Sequence, residues 1–493
     1  MSDARPNRVV PSWLPPSHVI VALTLAGILF AVTLGKGVRD PDYFWHVVAG
    51  EFIVANGQVP NVDPFSFTWS GQPWTPHEWL SEVLIYGLVA ALGEMGALAV
   101  FALIPGATIL MLALLLGRLG VRTLAQAPVL ALAALVMAPY TTLRPQALSW
   151  LLLAVTVSLL ASDRPESRRR LLLILPLFVV WANLHGLYVV GIGVIGAYAL
   201  FTIVGRTPLA GYRVWAVGAV ALAVIGAMAT PAGPFGVLYP LRYSQEWGLA
   251  NIQEWQSPDF HSPAHWPLLA MFVALILNGG RATPGWLQLI AYVGTVIALI
   301  ALRNGPVAAV LAVPTLGLGL EDRLRAWRGS HRPAGQRVAL ARRVMEGLAA
   351  VAVVAAAFVI LLPPSMSATA DEQQLEAGYP VMAADLLAEE YPGVRVVPDY
   401  GWGGYLIYRL YDHGGRVFVD GRNDMYAEQI LDDYTAISQA DAGWEELVDE
   451  YGVDALLFPP SRPLTKGLAE AAGWCEAYRD DQSVLLLRDC PPG

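Results

Sequence analysis

The chain reads SHVIVALTLAGILFAVTLGKGVRDPDYFWHVVAG from residue 17 to residue 50. A membrane span needs about 20 largely apolar residues, and the run that starts at His18 satisfies this requirement. Arg5 and Arg8 precede the run, and no small-residue cleavage site follows it, so it is predicted to be the first membrane helix rather than a cleaved signal. The acidic and aromatic residues behind it then begin the first loop on the far side.

The composition of the whole chain also indicates that it lies in a lipid bilayer. Hydrophobic residues make up 55% of the 493 residues and charged residues 14%, whereas a soluble domain carries about 25% charged residues. The mean hydropathy is +0.49. A net charge of −9 gives no reason to expect a nucleic-acid partner. We therefore expect a polytopic α-helical membrane protein embedded in the lipid bilayer.

About eleven apolar segments are candidate spans, and arginines alternate between the loops that join them. With a cytoplasmic N-terminus the arginine-rich loops all fall inside, as the positive-inside rule requires. An odd number of spans then places the C-terminal part outside, which divides the chain into a membrane domain (1–363) and an extracytoplasmic domain (364–493). The predicted spans lie near 17–37, 96–117, 124–140, 146–162, 171–184, 187–205, 213–231, 265–279, 284–301, 305–320 and 345–363.

The first outer loop, from about residue 38 to 95, is long, aromatic and acidic. The segments from Asp42 to Ala55 and from Trp79 to Leu92 have helical spacing, which predicts two amphipathic helices at the membrane interface. Prolines and glycines between them predict an ordered connection, in which Asp63 precedes Pro64 in a turn.

Two acids and a histidine follow the first span directly. Asp40 and Asp42 can simply end one helix and cap the next. Alternatively, a carboxylate at the membrane surface can act as a base or hold a divalent cation. His46 lies one helical turn after Asp42 and can share its face, or it can pack at the interface.

Arginines on the outer side run against the positive-inside trend. Arg144, Arg242 and Arg303 can snorkel to the interface or form structural ion pairs. They can also bind phosphate, for which the guanidinium fork is well suited. Because ionisable groups at membrane depth are costly, their convergence on one surface predicts an outward-facing polar site.

The C-terminal part has ordinary charge and alternates helix with strand, which predicts a small α/β domain with a partly parallel sheet. Predicted helices are Val381 to Tyr391, Ala427 to Ile437 and Trp444 to Tyr451; predicted strands are Val394 to Val397, Val417 to Asp420, Ala455 to Phe458 and Val484 to Leu487.

Several of these segments resemble one family. RDPDYFWHVVAGEFI (39–53) and VPNVDPFSFTWSGQPWTPHEWLSEV (59–83) resemble the first periplasmic loop of bacterial membrane proteins of the GT-C glycosyltransferase superfamily. WANLHG (181–186) and NIQEWQSPDF (251–260) are similar to further motifs of the same bacterial group. That group is distantly related to protein O-mannosyltransferases and to the catalytic subunit of oligosaccharyltransferase.

The resemblance implies a GT-C-like fold and sugar transfer from a polyprenyl-phosphate carrier at the outer face. It implies that Asp42, with Asp40 second, is the base or metal ligand, and His46 is a further catalytic candidate. A divalent cation, Mg²⁺ or Mn²⁺, would be held by Asp42 with Glu254 and Asp259. Candidates for the donor phosphate are Arg144, Arg242, Arg303 and His185.

The segment PDYGWGGYLIYRL (398–410) resembles the W-W-D-Y-G motif of oligosaccharyltransferase, which contacts the acceptor. Val397 and Pro398 stand where the two tryptophans would be. The resemblance implies acceptor contacts, and the alternative is a motif that only packs the domain against the membrane helices. The residues concerned are Asp399, Tyr400, Trp402 and Tyr405.

The leading hypothesis is thus a glycosyltransferase of the bacterial inner membrane that acts on a glycan, lipid or protein acceptor. The alternatives are a transporter or flippase for a lipid-linked glycan, and a non-catalytic scaffold for envelope assembly. The outer compartment would also permit a disulfide between Cys475 and Cys490.

Overall fold

The fold is seen in a computed structural model that describes residues 16–161, 165–241, 248, 251–277, 283–328, 378–467 and 473–488. Every predicted span that falls within these ranges lies on a helix. The span 345–363, the domain boundary at 364, Arg242 and Cys490 lie outside the described residues. The helices of the membrane part are Ser17–Lys36 (α1), Pro41–Asn56 (α2), Trp79–Arg118 (α3), Thr123–Met137, Gln146–Leu160, Ile174–Leu184, Tyr188–Ile203, Arg213–Ala227, Gly233–Gly236, Trp266–Leu277, Gly285–Ile300 and Gly305–Arg328.

Within the described residues, four helical segments are long and apolar enough to cross a membrane by themselves. They are Ser17–Lys36, Trp79–Arg118, Thr123–Tyr140 and Ala210–Ala227. The shorter apolar helices include Gln146–Leu160, Tyr188–Ile203, Pro263–Leu277 and Gly285–Ile300.

The first outer loop differs from its prediction in two ways. The predicted second amphipathic helix is continuous with the following span in α3, which bends where Gly93 adopts a φ of 71°, a conformation that favours glycine. The first, α2, is buried along the whole run from Tyr43 to Gly50. It packs between α3 and the C-terminal helix Gly403–Leu410, so its aromatic side chains contact protein on both sides.

The C-terminal part forms one five-stranded mixed sheet in the order β2-β1-β3-β5-β4. Strands β1 and β2 are parallel, β1 and β3 are parallel, and β3–β5 and β5–β4 are antiparallel. The sequence missed the strand Trp474–Arg479 and the helix Gly403–Leu410. The strands are β1 Arg395–Pro398, β2 Arg416–Val417, β3 Ala455–Phe458, β4 Trp474–Arg479 and β5 Val484–Arg488; the helices are Val381–Glu390, Gly403–Leu410, Glu428–Gln439, Trp444–Glu450 and Pro463–Gly467.

The first outer loop joins the C-terminal sheet directly. Phe67 N–H donates to the carbonyl of Val417 in β2 at 3.1 Å, and Thr68 Oγ1 donates to the carbonyl of Phe418 at 2.5 Å. The loop thereby covers the open edge of β2, whose backbone groups would otherwise need water.

A buried arginine fastens this contact. Arg422 is 2% exposed, and it donates to Asp63 in the outer loop at 2.7 Å and to both oxygens of its near neighbour Asp420. Its guanidinium lies over the rings of Phe65 and Trp74 at 4.9 and 4.7 Å. Asp63, expected to be a turn residue, is therefore also an anchor between the two parts of the chain.

We predict that Arg422→Met loosens this docking. Removal of one partner of a buried ion pair leaves the carboxylates uncompensated, at a cost of about 3–5 kcal/mol. The thermal midpoint of the full chain in detergent should fall, and protease should cleave the C-terminal part faster. The control is Arg479→Met, which breaks an exposed pair with Glu476 and should leave both readouts unchanged. Equal midpoints for the two variants would contradict the anchor role.

Candidate functional site

A cavity of about 730 Å³ lies where the membrane helices meet the C-terminal domain. The link between α1 and α2 forms one wall, and the loops around Arg144, Glu254 and Arg303 form the others. The C-terminal domain contributes residues from 400–404 and 421–424, and the segment 74–82 with His185 completes the lining. The lining includes Asp40, Asp42, His46, Trp74, His77, Glu78, Glu82, Arg144, His185, Glu254, Trp255, Arg303, Tyr400, Gly421, Asn423 and Asp424.

Arg144 lies among three carboxylates in one wall of the cavity. Its Nη1 donates to Glu254 Oε2 at 2.8 Å and its Nη2 donates to Asp42 Oδ2, while its Nε forms an ion pair with Asp40 Oδ1 at 2.7 Å. Each of the three guanidinium nitrogens thus lies against a different acid. The side chain is 19% exposed, so the cluster is largely shielded from solvent.

Local structure explains how the acids reach this arginine. Asp40 caps α2 by accepting from Asp42 N–H, and Pro41 occupies the first helical position, where a missing N–H costs nothing. Asp40 Oδ2 also accepts from Thr142 Oγ1 at 2.9 Å. Asp40 therefore caps α2 and also lines the cavity, and a catalytic role for it stays a prediction.

Burial and charge act in opposite directions on these groups. Burial raises the pKa of Asp40, although Arg144 opposes the change. Burial would also raise the pKa of Glu254, but Arg303 and Arg144 outweigh it and lower that pKa to about 2. Glu254 is therefore ionised at neutral pH.

Arg303 is the second cation of the cavity. Its Nη1 lies 3.3 Å from Glu254 Oε1, and its guanidinium lies 4.8 Å from the ring centroid of Trp255. Within the part of the chain that the structure describes, its side chain has one ion-pair partner, whereas Arg144 has three. Glu254 thus connects the two arginines through its two oxygens.

Three imidazoles surround Glu78 at the start of α3. His185 Nε2 lies 3.2 Å and His77 Nε2 3.5 Å from Glu78 Oε1, and His46 Nε2 lies 3.6 Å from Glu78 Oε2. His185 Nδ1 accepts from the N–H of Leu187 at 3.1 Å. That acceptor role leaves the proton of the neutral ring on Nε2, directed at Glu78.

The charges within this cluster differ from ring to ring. Burial lowers the pKa of His185 to about 3, so this ring is neutral at pH 7. Burial would also lower the pKa of His77, but the hydrogen bond and the charge interaction of this ring with Glu78 outweigh burial and raise the pKa to about 9. Burial opposes ionisation of Glu78, yet His185 and His77 hold its pKa well below the usual range. Glu78 and His77 therefore form a partly buried ion pair.

The structure brings most of the predicted catalytic and phosphate candidates to one cavity. Asp42, Asp40, His46, Arg144, Arg303 and His185 all line it, and their individual roles stay predictions. Of the predicted acceptor residues, Tyr400 lines the cavity as well.

The other predicted acceptor residues lie outside the cavity lining. Asp399 accepts two hydrogen bonds from Arg462, at 2.6 and 2.9 Å. Trp402 is 8% exposed and donates to the carbonyl of Gly378. Tyr405 is 1% exposed and packs edge-on against Phe44 at 5.0 Å. These contacts hold the domain together and dock it on α2.

The proposed metal ligands do not form a metal-binding set in this structure. Arg144 stands between Asp42 and Glu254, and Asp259 is exposed in a turn where its Oδ1 accepts from His261 N–H at 2.9 Å. Among the described residues, no group of three or more histidine, cysteine or acidic residues is arranged to hold a metal ion.

Sequence reasoning missed two parts of the site. Glu78 gives no signal of its own in the sequence, because two of its partners, His46 and His185, come from distant segments. Gly421 also went unnoticed, although a Cβ at this position would overlap Asp42 Oδ1. Its signal was the VDGRND sequence (419–424) directly after a predicted strand.

Comparisons with known proteins identify the fold. No protein-family model and no curated protein sequence matches the chain. Among solved structures, the archaeal oligosaccharyltransferase AglB from Archaeoglobus fulgidus, in complex with an inhibitory peptide and a dolichol-phosphate, matches with a TM-score of 0.59 and 12% identity. The match covers 89% of this chain and 69% of that chain.

ArnT from Cupriavidus metallidurans, in the apo state, matches with a TM-score of 0.54 and 16% identity over 95% of this chain and 97% of that chain. Both neighbours are GT-C superfamily glycosyltransferases. Their membrane-embedded architecture agrees with the apolar helices described above. This multi-pass membrane chain therefore shares its overall fold with these two GT-C glycosyltransferases.

Proposed function

We propose that this chain transfers a sugar from a polyprenyl-phosphate-linked donor to a hydroxyl group of a glycan, lipid or protein acceptor, at the outer face of the bacterial inner membrane. The observation that carries the proposal is the cavity under the docked C-terminal domain, where Asp42 and two arginines converge. The structural neighbour AglB was solved with a dolichol-phosphate, a ligand of the same chemical class as the proposed carrier.

The donor end of the cavity is assigned to Arg303. A recess of about 210 Å³ adjoins the cavity. Tyr140, Gln253 and Glu254 line both the recess and the cavity. The rest of the recess is largely apolar, with Val136, Leu268 and Leu302 among its lining residues. An isoprenoid tail in this recess would bring its phosphate to the arginines.

The chemistry follows from these positions. The acceptor oxygen attacks the anomeric carbon, the bond from that carbon to the phosphate oxygen breaks, and the configuration inverts. Negative charge grows on the leaving phosphate, and fixed guanidinium groups stabilise it without reorganisation. The acceptor proton passes to Asp42, whose side chain is 23% exposed and faces the cavity.

His46 is the second candidate for the acceptor proton. It lies one turn after Asp42 on α2, is 2% exposed, and lines the same cavity. Its Nδ1 has no hydrogen-bond partner among the residues that the structure describes. Glu78 beside Nε2 would stabilise the ring once it became charged.

The acceptor approaches beneath the C-terminal domain. Tyr400, Asn423 and Asp424 supply a polar and aromatic roof to the cavity. The arginine-rich loops between the other helices favour a cytoplasmic N-terminus and an outward-facing domain. A flippase would use the same cavity without forming a bond, and a scaffold would need no such cavity.

We predict that membrane vesicles in which the C-terminal domain faces outward transfer labelled sugar to a membrane-impermeant hydroxyl acceptor. Asp42→Asn should lower the turnover by roughly 10²–10⁴-fold, the usual contribution of a general base. The chain should remain folded by thermal unfolding. The control is Glu51→Gln, exposed on the same helix and outside the cavity lining. Carrier movement without product would favour the flippase, and normal turnover in Asp42→Asn would remove Asp42 from the mechanism.

We predict that Arg303→Ala weakens carrier binding by roughly 10- to 100-fold, since a hydrogen bond to a charged group contributes about 1.5–3 kcal/mol. Arg303→Lys keeps the charge but loses the fork, and should recover only part of the affinity. Binding is measured by titration with a short-chain polyprenyl phosphate, with Arg479→Ala as the control. Unchanged affinity in Arg303→Ala would rule out this phosphate contact.

We predict that Gly421→Ala impairs turnover while carrier binding persists, because the new methyl group would displace the Asp42 carboxylate. Gly401→Ala is the matched control in the same roof, since its Cβ would meet only Asp399 Oδ1 at an ordinary 3.7 Å. Comparable turnover in the two variants would show that the position of Asp42 tolerates the change.

A further inference from the structure

We propose that Arg144 is the resident cation of this site, and that its guanidinium takes the place among Asp40, Asp42 and Glu254 that a divalent metal ion would otherwise occupy. The inference deepens the proposed function, because it assigns the cofactor requirement of the same cavity. Its test measures ion binding, so it can fail or succeed whether or not the chain transfers a sugar.

The guanidinium has the geometry of a central ion. Its three nitrogens point at three carboxylates, with distances of 2.7 Å to Asp40 Oδ1 and 2.8 Å to Glu254 Oε2 and a direct bond to Asp42 Oδ2. The planar, permanently charged fork is suited to binding several carboxylates at fixed angles. A hydrated Mg²⁺ would satisfy the same charges through oxygen contacts.

Each of the six oxygens of these carboxylates already contacts a hydrogen-bond donor or a guanidinium nitrogen. Beyond the three bound by Arg144, Asp40 Oδ2 accepts from Thr142 at 2.9 Å and Asp42 Oδ1 accepts from Trp45 Nε1 at 3.2 Å. Glu254 Oε1 lies 3.3 Å from Arg303 Nη1. A metal ion would have to displace fixed donors from oxygens that are already satisfied.

Repulsion among the three carboxylates explains why a cation is needed between them. Three carboxylates gathered in a shielded wall repel one another and resist ionisation unless a cation lies between them. A guanidinium is permanently charged, so the arginine supplies this cation without any ion from solution, whereas occupancy by a metal ion would depend on its concentration.

The inference predicts that removing the arginine creates a metal site. Arg144→Ala leaves three carboxylates around an opened space, and such oxygen-rich sets bind Mn²⁺ and Mg²⁺. We expect this variant to bind Mn²⁺ at least about tenfold more tightly than the wild type, a difference of about 1.4 kcal/mol.

The experiment uses the full chain purified in detergent after treatment with a chelator. Mn²⁺ binding is read from the spin-resonance signal of the unbound ion, and stability from the thermal midpoint with and without Mn²⁺. The wild type should show no Mn²⁺-dependent change in its midpoint. Arg144→Ala should unfold at a lower temperature, and Mn²⁺ should raise its midpoint.

Two further variants make the result specific. Adding Asp42→Asn to Arg144→Ala should abolish the Mn²⁺ response, because one ligand is lost. Arg303→Ala removes a cation that contacts a single carboxylate, so it should gain no Mn²⁺ site. Where Arg144→Ala cannot be purified, Arg144→Gln serves in the same comparison.

Two outcomes would overturn the inference. One is Mn²⁺ binding by the wild type that Asp42→Asn abolishes, since the acids would then hold an ion beside the arginine. The other is a folded Arg144→Ala or Arg144→Gln variant that binds Mn²⁺ no better than the wild type.

Discussion

Arg144 is the side chain on which the shape of the cavity depends. Asp40 caps α2 and Asp42 lies in its first turn, whereas Glu254 comes from the 251–260 segment. Asp42 and Glu254 are 102 and 110 residues from Arg144 along the chain. Carboxylates in a shielded wall cannot stay ionised side by side without a cation. The segments that carry Arg144, the two aspartates and Glu254 therefore converge at this guanidinium. Their convergence fixes the position of Asp42.

A second buried arginine compensates the charge of carboxylates where the C-terminal domain contacts the first outer loop. Arg422 binds Asp63 and Asp420 and thereby holds the domain against the first outer loop. Close backbone contact completes the docking, since a Cβ at Gly404 would lie 2.5 Å from the carbonyl oxygen of Pro41. The domain thus rests directly on the start of α2, the turn that carries the acids.

The sequence predicted those features that local composition controls. Apolar length predicted helices of the membrane part, and two of the arginines predicted to face outward, Arg144 and Arg303, do line the cavity, because both signals lie within short segments. Pairings between distant residues were beyond its reach. Arg422 and Asp63 are 359 positions apart, and the burial of α2 on both sides depends on Gly403–Leu410, a helix whose glycine-rich start is typical of a turn. Of the aromatic residues predicted to bind acceptor, Tyr400 lines the cavity, whereas Trp402 and Tyr405 are buried outside it, since exposure cannot be read from residue type.

The two arginines of the cavity therefore differ in how many carboxylates they already contact, and so in how readily each would bind an incoming phosphate. Arg144 would have to release a carboxylate, at a cost of about 1.5–3 kcal/mol for a hydrogen bond between charged groups, whereas Arg303 can keep its contact with Glu254 through one nitrogen and donate with the others. Glu254 binds both arginines, one through each oxygen, and so fixes their separation. A phosphate at Arg303 would then lie a set distance from Asp42, which Arg144 holds in place. Glu254, which the resemblance suggested as a metal ligand, therefore links the two arginines across this wall of the cavity.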